Sequence, residues 1–392
     1  MSRVLEMLFG RLPIGWLQLV NNRARLFAAL AGVAFASLLI LMQLGFMGAL
    51  VNSIALPYQQ MNADIMISAS DTNTLADASP VPRQRMYEAL SVSGVKSVVP
   101  VYYGKIDWKQ HDGTVRALDT FGINIDALTF NNPDIEAAKP LLALADHAII
   151  DRKTRNAPKG LFASIDAGND YHFEAKGRTL TIFNTFTIGG GFTADGYLIV
   201  SEQTFLSLFP QRSPGAPSHI FVKINDPRNT ESVVAELRRV LPDYDTTVQS
   251  REDAIRRDQA YQTTQRPVGI VFGFGVAIGV LVGIIIVYQV LASDVADHLR
   301  EYATMKAIGY RQRFFLGIVF EEALVLAIFG FLPGLAVSMG LYAAVRGLTG
   351  LPVFMSFERA VLVMVGVIVM CLVSGLVATR KLARANPADL FP

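Results

Sequence analysis

The chain alternates between four long uncharged runs and the polar segments that separate them. The runs cover residues 26–51, 267–293, 323–345 and 360–379, with lengths of 26, 27, 23 and 20 residues. A helix of about 20 apolar residues crosses the ~30 Å hydrocarbon core of a bilayer. The pattern therefore predicts four transmembrane helices, which we place at residues 26–51, 268–292, 314–345 and 360–379.

A segment of 216 residues, 52–267, separates the first two spans. Its periodicity predicts a strand, a helix and a strand near each end, at 63–70, 83–91 and 95–105 and again at 218–224, 230–241 and 244–249. We predict a large α+β domain, with a βαβ-type subdomain built from both ends and a β-rich insertion at about 113–209. Residues 251–266 are polar and lack glycine, and predict a stalk helix joined rigidly to the second span; its candidate residues are Arg251, Arg256, Gln259 and Gln262.

Residues 1–25 predict a cytoplasmic tail and a short interfacial elbow helix. Ile14, Leu17 and Val20 would form its apolar side, and Trp16 would lie at headgroup level. The apolar run that follows is too long for the core of a cleavable signal peptide.

Composition and charge set the class of protein and its orientation. With 52% hydrophobic and 17% charged residues, the chain is typical of a membrane protein. Only Arg346 and Arg359 lie in the short loop 346–359, whereas eleven basic residues lie in the two tails and in loop 293–313. These are Arg3, Arg11, Arg23, Arg25, Arg300, Lys306, Arg311, Arg313, Arg380, Lys381 and Arg384. The positive-inside rule places both tails (1–25 and 380–392) and loop 293–313 in the cytoplasm, and residues 52–267 outside.

Within loop 293–313, residues 299–310 predict a short amphipathic helix. Tyr302, Met305, Lys306 and Gly309 would share one face, and Gly309 would end the helix. Such a helix could dock into a groove on a soluble partner. The alternative is an ordinary polar loop between two spans.

Several segments resemble the permeases of the MacB/FtsX-like (type VII) ABC transporter superfamily, and the DevC-type branch in particular. They are REYATMKAIG at 300–309, FEEA at 320–323, GFLPG at 330–334, SG at 374–375, RKL at 380–382 and NPAD at 386–389. The resemblance implies that a separate ABC ATPase, which binds ATP and Mg, docks on the loop helix. The coupling residues would be Arg300, Glu301, Tyr302, Met305, Lys306, Ala307 and Gly309.

The same resemblance implies a multi-pass protein of the bacterial inner membrane, with its large domain in the periplasm. It also implies an HlyD-type membrane fusion protein, a TolC-type outer-membrane channel and a lipid-like or amphipathic cargo. The main hypothesis is thus the permease subunit of an exporter. The alternative is an FtsX-like regulator that activates a periplasmic partner without transport. A membrane-anchored external enzyme is a third class, for which the sequence offers no site.

Small residues recur at four-residue spacing in the first two spans. Helices in lipid approach closely along such stripes, so we predict a homodimer interface there. Its residues are Ala28, Gly32, Ala36, Gly275, Gly279 and Gly283. Packing within one subunit is the alternative.

No site chemistry of its own is evident in the chain. It has no G-x-x-x-x-G-K-[ST] sequence, which predicts a non-catalytic membrane subunit without a cofactor. The five histidines show no metal-ligand spacing, and basic residues outside the membrane are interleaved with acidic ones, which argues against nucleic acid. Glu321 and Glu322 would lie at the cytoplasmic edge facing Lys306, Arg311 or Arg313, or would take part in coupling.

The charge distribution gives a testable topology. Cysteines introduced at Ser2 or Gln312 should be shielded from a membrane-impermeant thiol reagent in intact cells, whereas one at Asp170 should react. Labelling at Gln312 from outside would rule out this orientation.

Overall fold

The computed structural model describes residues 14–110, 113–192 and 194–384. The tail residues Arg3 and Arg11 and the segment 386–389 lie outside the described residues, as do the side chains of Arg380, Lys381 and Arg384.

The first described elements are α1 (Ile14–Asn21) and α2 (Arg23–Gln60). Strands and shorter helices follow in the order β1 (Ile65–Ala69), α3 (Gln84–Leu90), β2 (Val95–Lys109), β3 (Val115–Ile123), α4 (Pro133–Leu142), β4 (His147–Asp151), α5 (Leu161–Asp166), β5 (Tyr171–Ala175), β6 (Arg178–Phe186), β7 (Gly196–Ser201), α6 (Glu202–Leu208), β8 (His219–Ile224), α7 (Thr230–Val240), β9 (Thr246–Ser250) and α8 (Arg251–Thr264). The remaining helices are α9 (Pro267–Asp297), α10 (Leu299–Ala307), α11 (Gln312–Thr349) and α12 (Phe357–Arg384).

Four of these helices, α2, α9, α11 and α12, are long and apolar enough to cross a membrane. With 38 residues, α2 is about 57 Å long at 1.5 Å per residue, nearly twice the hydrocarbon thickness. It begins three residues before the predicted span and runs nine residues beyond it. The predicted fold class, four transmembrane helices with an α+β domain between the first and the second, is confirmed.

The described chain forms two compact units. The membrane unit contains residues up to 48, 270–345 and 353 onward, and so holds most of the four long helices and α10. The sheet unit contains residues 49–269 and 346–352, and so holds the strands, the end of α2 and α8.

One nine-stranded sheet runs through the sheet unit, in the order β5-β6-β4-β7-β3-β2-β8-β1-β9. In the β2-β8-β1-β9 half, β8 lies antiparallel between β2 and β1, and β9 is antiparallel to β1. The two connections β1-α3-β2 and β8-α7-β9 are therefore split βαβ units, as in ferredoxin-like folds. Ala89 of α3 and Leu237 of α7 pack in one apolar cluster with Ile67 and Ile220, so both helices cover the same face.

The predicted β-rich insertion differs from the structure in two respects. It contains three helices, α4 to α6, and its strands belong to the same sheet as the ferredoxin-like half. The physical reason lies in β2, whose 15 residues make it longer than either of its pairing partners, β3 with 9 residues and β8 with 6. Residues 95–101 of β2 pair with β8, and residues 101–109 pair with β3. The insertion thus extends the same sheet with five strands and three helices, and the expectation of a distinct subdomain is corrected on that point alone.

The predicted rigid stalk is interrupted where it meets the second span. Helix α8 ends at Thr264, and α9 begins at Pro267, which has no backbone N–H to continue a helical ladder. A side chain at Gly269 would overlap the backbone of Gln262 and Thr263, so the chain turns tightly there. The expected rigid connection is therefore corrected to two helices with a short break between them.

The small-residue stripes pack helices of one chain together. A Cβ at Gly32 would overlap Ile286 of α9, and one at Gly275 would overlap Gln43 of α2. A Cβ at Gly279 would lie 2.9 Å from Ile40 Cγ1, and one at Gly283 would overlap Met370 of α12. Because Ala36, Gly279 and Gly283 are buried within a single chain, assigning them to a subunit interface was wrong. Ala28 is exposed, and the homodimer itself stays a prediction.

Replacing Gly279 by Leu should separate α2 from α9 and destabilise the membrane unit by about 1–3 kcal/mol, the usual cost of overpacking. The measurement is the thermal unfolding midpoint of the full chain in detergent. Gly273→Leu, six residues earlier in α9, is the matched control because a Cβ there meets no atom within 4 Å. Equal midpoints for the two variants would contradict this contact.

Candidate functional site

Helix α10 is a short, well-terminated element between two spans. Gly309 adopts φ +108°, a left-handed conformation that glycine tolerates. Its N–H donates to Lys306 O at 3.1 Å, and the Tyr310 N–H donates to Met305 O at 3.1 Å. This pair of hydrogen bonds is a Schellman motif, which satisfies the last carbonyls of the helix. The predicted helix stop at Gly309 is confirmed.

One side of α10 is buried in the membrane unit. The Tyr302 side chain is 1% exposed, and its hydroxyl donates to Gln18 Oε1 of α1 at 3.1 Å. Its ring packs edge-on against Phe315 of α11, with centroids 5.5 Å apart, and burial raises the pKa of Tyr302. Ala303 is also buried, and Met305 packs against the same core. Tyr302 and Met305 therefore face the chain itself, and the predicted docking face built on them was wrong.

The opposite side of α10 is exposed in the part of the chain that the structure describes. Its exposed residues are Arg300, Glu301, Thr304, Ala307 and Ile308, and we call this set the α10 outer face. Residues 300, 304, 307 and 308 follow the i, i+4, i+7, i+8 spacing of a single helix face. Ile308 is 75% exposed. Three predicted coupling residues, Arg300, Glu301 and Ala307, belong to this face, and Lys306 lies at its border, half-buried.

Sequence reasoning missed Ile308 and Thr304. Helical spacing shows which residues share a face, but it cannot show which face the rest of the chain covers. The available signal was an apolar residue, Ile308, beside the glycine that ends the helix. An aliphatic side chain exposed there adds nothing to the stability of the fold, which indicates a contact with a partner.

Beneath α10, the described part of the membrane unit buries the carboxyl groups of Asp294, Glu321 and Glu322. Glu321 Oε1 accepts from the Trp16 N–H at 3.2 Å, and a Cβ at Gly15 would lie 2.9 Å from Glu322 Cγ. The two glutamates thus pack against α1, and the expectation that they face Lys306, Arg311 or Arg313 is corrected. Asp294 forms an ion pair with Arg25, with Nη1 and Oδ1 3.6 Å apart.

Helix α1 is also turned differently from the prediction. Trp16 packs near Phe329 of α11, with ring centroids 6.2 Å apart, and Leu19 is buried. Leu17, expected on the apolar inner side, is 54% exposed. The side chain of Ile14 lies outside the described residues.

The predicted stalk residues lie on α8 in two different settings. The Gln259 side chain donates to Val51 O of α2 at 2.9 Å, and Gln262 lines a small cavity against the end of α2. The Arg251 N–H donates to Asp64 O at 2.9 Å, and Arg256 forms an exposed ion pair with Asp253. Gln259 and Gln262 therefore contact α2, the helix that continues from the first span, whereas Arg251 and Arg256 form their described contacts with other residues.

Comparison with known proteins identifies the class. The model of the MacB-like periplasmic core domain matches residues 26–240, more than half of the chain. The model of the FtsX-like permease C-terminal domain matches residues 273–387. Four spans, a large domain after the first and a compact helix between the second and third define an ABC transporter permease. The chain belongs to the MacB/FtsX-like (type VII) permeases, and is a multi-pass membrane protein with a periplasmic domain.

Individual relatives match over shorter stretches. The chain is 28% identical over 177 residues to the pyoverdine export ATP-binding/permease protein PvdT of Pseudomonas syringae pv. tomato, covering 44% of this chain and 26% of that protein. It is 33% identical over 124 residues to the macrolide export ATP-binding/permease protein MacB of Wolinella succinogenes, covering 32% and 19%. The periplasmic region of MacB from Actinobacillus actinomycetemcomitans aligns with a TM-score of 0.33 and 12% identity, over 50% of this chain and 92% of that one. The chain thus spans less than a third of the full lengths of PvdT from Pseudomonas syringae pv. tomato and MacB from Wolinella succinogenes.

Tyr302 offers a graded test of the buried side of α10. Tyr302→Phe should cost about 1 kcal/mol for the lost hydrogen bond to Gln18, and Tyr302→Ala about 3–5 kcal/mol for the cavity. Thermal unfolding of the full chain in detergent measures both. Thr304→Ala, on the outer face, should change stability by no more than about 0.5 kcal/mol. A Tyr302→Ala variant as stable as Thr304→Ala would show that the ring is not packed.

Proposed function

We propose that this chain is the permease subunit of an ABC exporter in the bacterial inner membrane, and that it works as a homodimer with a separate ABC ATPase. The observation that carries the proposal is the α10 outer face, because it leaves a compact helix free on the side of the chain that the charge distribution assigns to the cytoplasm. ATP and Mg would bind to the ATPase, since this chain has no phosphate-binding loop.

The outer face has the composition of a docking surface. An exposed aliphatic side chain, Ile308, lies among the charged Arg300 and Glu301 and the small Ala307. Interfaces of this kind take most of their binding energy from a buried anchor and little from the charged rim. We therefore assign the anchor to Ile308 and orientation to Arg300 and Glu301, with the helix lying in a groove of the ATPase.

The buried side of α10 supplies a path for movement within the membrane unit. Tyr302 joins α10 to α1 through Gln18 and to α11 through Phe315. A displacement of α10 by the ATPase would thus be transmitted to α1 and to the start of α11. Packed side chains transmit such displacements because protein interiors have low compressibility.

The proposed cargo and the proposed partners outside the membrane are inferred from the family resemblance. The DevC-like segments support a lipid-like or amphipathic cargo, an HlyD-type adaptor and a TolC-type channel. The two named relatives are described as exporters of pyoverdine and of macrolides. Mass spectrometry of proteins and lipids that co-purify with the full chain would identify these components. A cell-wall hydrolase in place of the adaptor would favour the FtsX-like regulator.

Ile308→Asp should abolish stimulation of the ATPase and its co-purification with the permease, because a charge would be buried without a partner in the docking groove. The control is Phe357→Asp, which alters another highly exposed apolar residue (84%) at the start of α12, on the opposite side in the predicted topology. Both variants should fold normally. Wild-type ATPase stimulation by Ile308→Asp would show that the ATPase docks elsewhere.

A further inference from the structure

A glutamate of the membrane unit is buried without a described hydrogen-bond donor. Glu322 lies on α11, about 12 Å of helix beyond the start of the predicted span at residue 314. The residue is 0% exposed, and no described residue donates a hydrogen bond to either of its carboxyl oxygens. An ionised carboxylate in this place would hold a full negative charge without water and without a donor, which a protein interior tolerates poorly.

The carboxyl group of Asp294 lies within hydrogen-bonding reach of Glu322. Asp294 belongs to α9 and is 2% exposed, and its Oδ2 likewise has no described hydrogen-bond donor. Two ionised carboxylates can only accept hydrogen bonds, and they repel one another. A single proton removes both costs, because it converts the contact into a charge-assisted hydrogen bond between a neutral acid and a carboxylate.

The charges around the pair decide which of the two carboxyl groups holds the proton. Arg25 Nη1 of α2 lies 3.6 Å from Asp294 Oδ1, and His298 Nδ1 lies 3.6 Å from Asp294 Oδ2. The described titratable groups that face Glu322 are acidic or neutral, namely Asp294, Glu321 and Tyr302. Nearby positive charge therefore favours the ionised form of Asp294, whereas the described surroundings of Glu322 favour its neutral form.

A polar cavity connects Asp294 with the surface. Its volume is about 200 Å³, and Asp294 forms part of its wall. One water molecule occupies about 30 Å³ of liquid, so the cavity has room for several. The exposed residues Asn21 and Asn22 also line the cavity, which therefore opens to solvent. Asp294 thus lies between this opening and Glu322, and it can pass a proton from one to the other.

We propose that Glu322 and Asp294 form a proton-binding site of the membrane unit, in which neutral Glu322 donates a hydrogen bond to ionised Asp294. The site joins α9 to α11 through one proton. Tyr302 of α10 faces both carboxyl groups, so the position of α10 affects the surroundings of the proton.

A role in export rests on the proposed function, whereas the proton itself does not. If the ATPase moves α10 and separates α9 from α11, water would reach Glu322 and its proton would leave through Asp294 and the cavity. Release on opening and rebinding on closing would link the arrangement of the helices to the proton concentration of the cytoplasm. The other described titratable groups around the pair are Arg25, Asp297, His298, Tyr302 and Glu321.

Infrared absorption of the full chain in detergent at neutral pH detects the proton directly. The spectrum of the wild type minus that of Glu322→Gln should contain the carbonyl band of a neutral carboxylic acid. Asp294→Asn should keep this band at a shifted frequency, because the acceptor changes from a carboxylate to an amide. The control is Glu358→Gln, which alters an exposed carboxyl group at the start of α12 and should remove no such band.

Two infrared results would overturn the proposal. Loss of the band in Asp294→Asn but not in Glu322→Gln would place the proton on Asp294, and its persistence in both variants would exclude the site. Neither spectrum involves the ATPase, so either result would leave the proposed function standing.

Thermal unfolding of the same variants gives a second reading. Glu322→Gln should unfold at the wild-type midpoint, because its neutral amide also donates to Asp294. Glu322→Ala should unfold at a lower temperature, because it removes that donor and leaves a cavity. A Glu322→Gln chain that failed to fold would show that the structure requires an ionised glutamate, and would overturn the proposal even without the spectra.

Discussion

Close contact between helix backbones is the interaction on which the membrane unit depends. Lipid tails are as apolar as leucine, so burial from water contributes little between spans, and packing must hold them together. Glycines let α2 approach its neighbours: Gly279 lies against Ile40, Gly330 against Val33 and Gly334 against the Ala34 carbonyl oxygen. The position of α10 depends in part on this packing, because Tyr302 packs against α11, which two of these contacts hold against α2. A stripe that would suit a dimer is thus already used inside one chain.

The sequence was sufficient wherever local pattern decides the structure. Runs of 20 or more uncharged residues predicted four spans, and Gly309 predicted the end of α10. The pattern failed where distant partners decide. Nothing local shows that β2 is shared between β8 and β3, which joins the insertion to the ferredoxin-like half in one sheet. Likewise, the spacing of Tyr302 and Met305 placed them together on one side of a helix, but only the packing of Gln18 and Phe315 shows that this side is covered.

Both units bury carboxyl groups. Glu322 and Asp294 are buried in the membrane unit, and Asp258 and Asp119 in the sheet unit. A buried acid lowers stability unless it is protonated, paired or hydrogen-bonded, and packed apolar residues of similar size would often be more stable. In a purely structural role, buried carboxyl groups lower the stability of the folded state. They suit a protein that alternates between conformations, because opening and closing changes their exposure to water.

The position of β8 between β1 and β2 also determines the order in which the domain can fold. Ile67 pairs with Ile220, so about 150 residues of chain separate two neighbours in the sheet. Until β8 leaves the translocation channel, β1 and β2 have no common partner and expose unpaired edges to other chains. Such long-range pairing makes folding slow, because the entropy of closing the loop is lost before any contact is gained. Secretion of β8 and β9 must therefore precede the pairing of β1, whereas β2 to β7 pair with one another and can form their part of the sheet earlier.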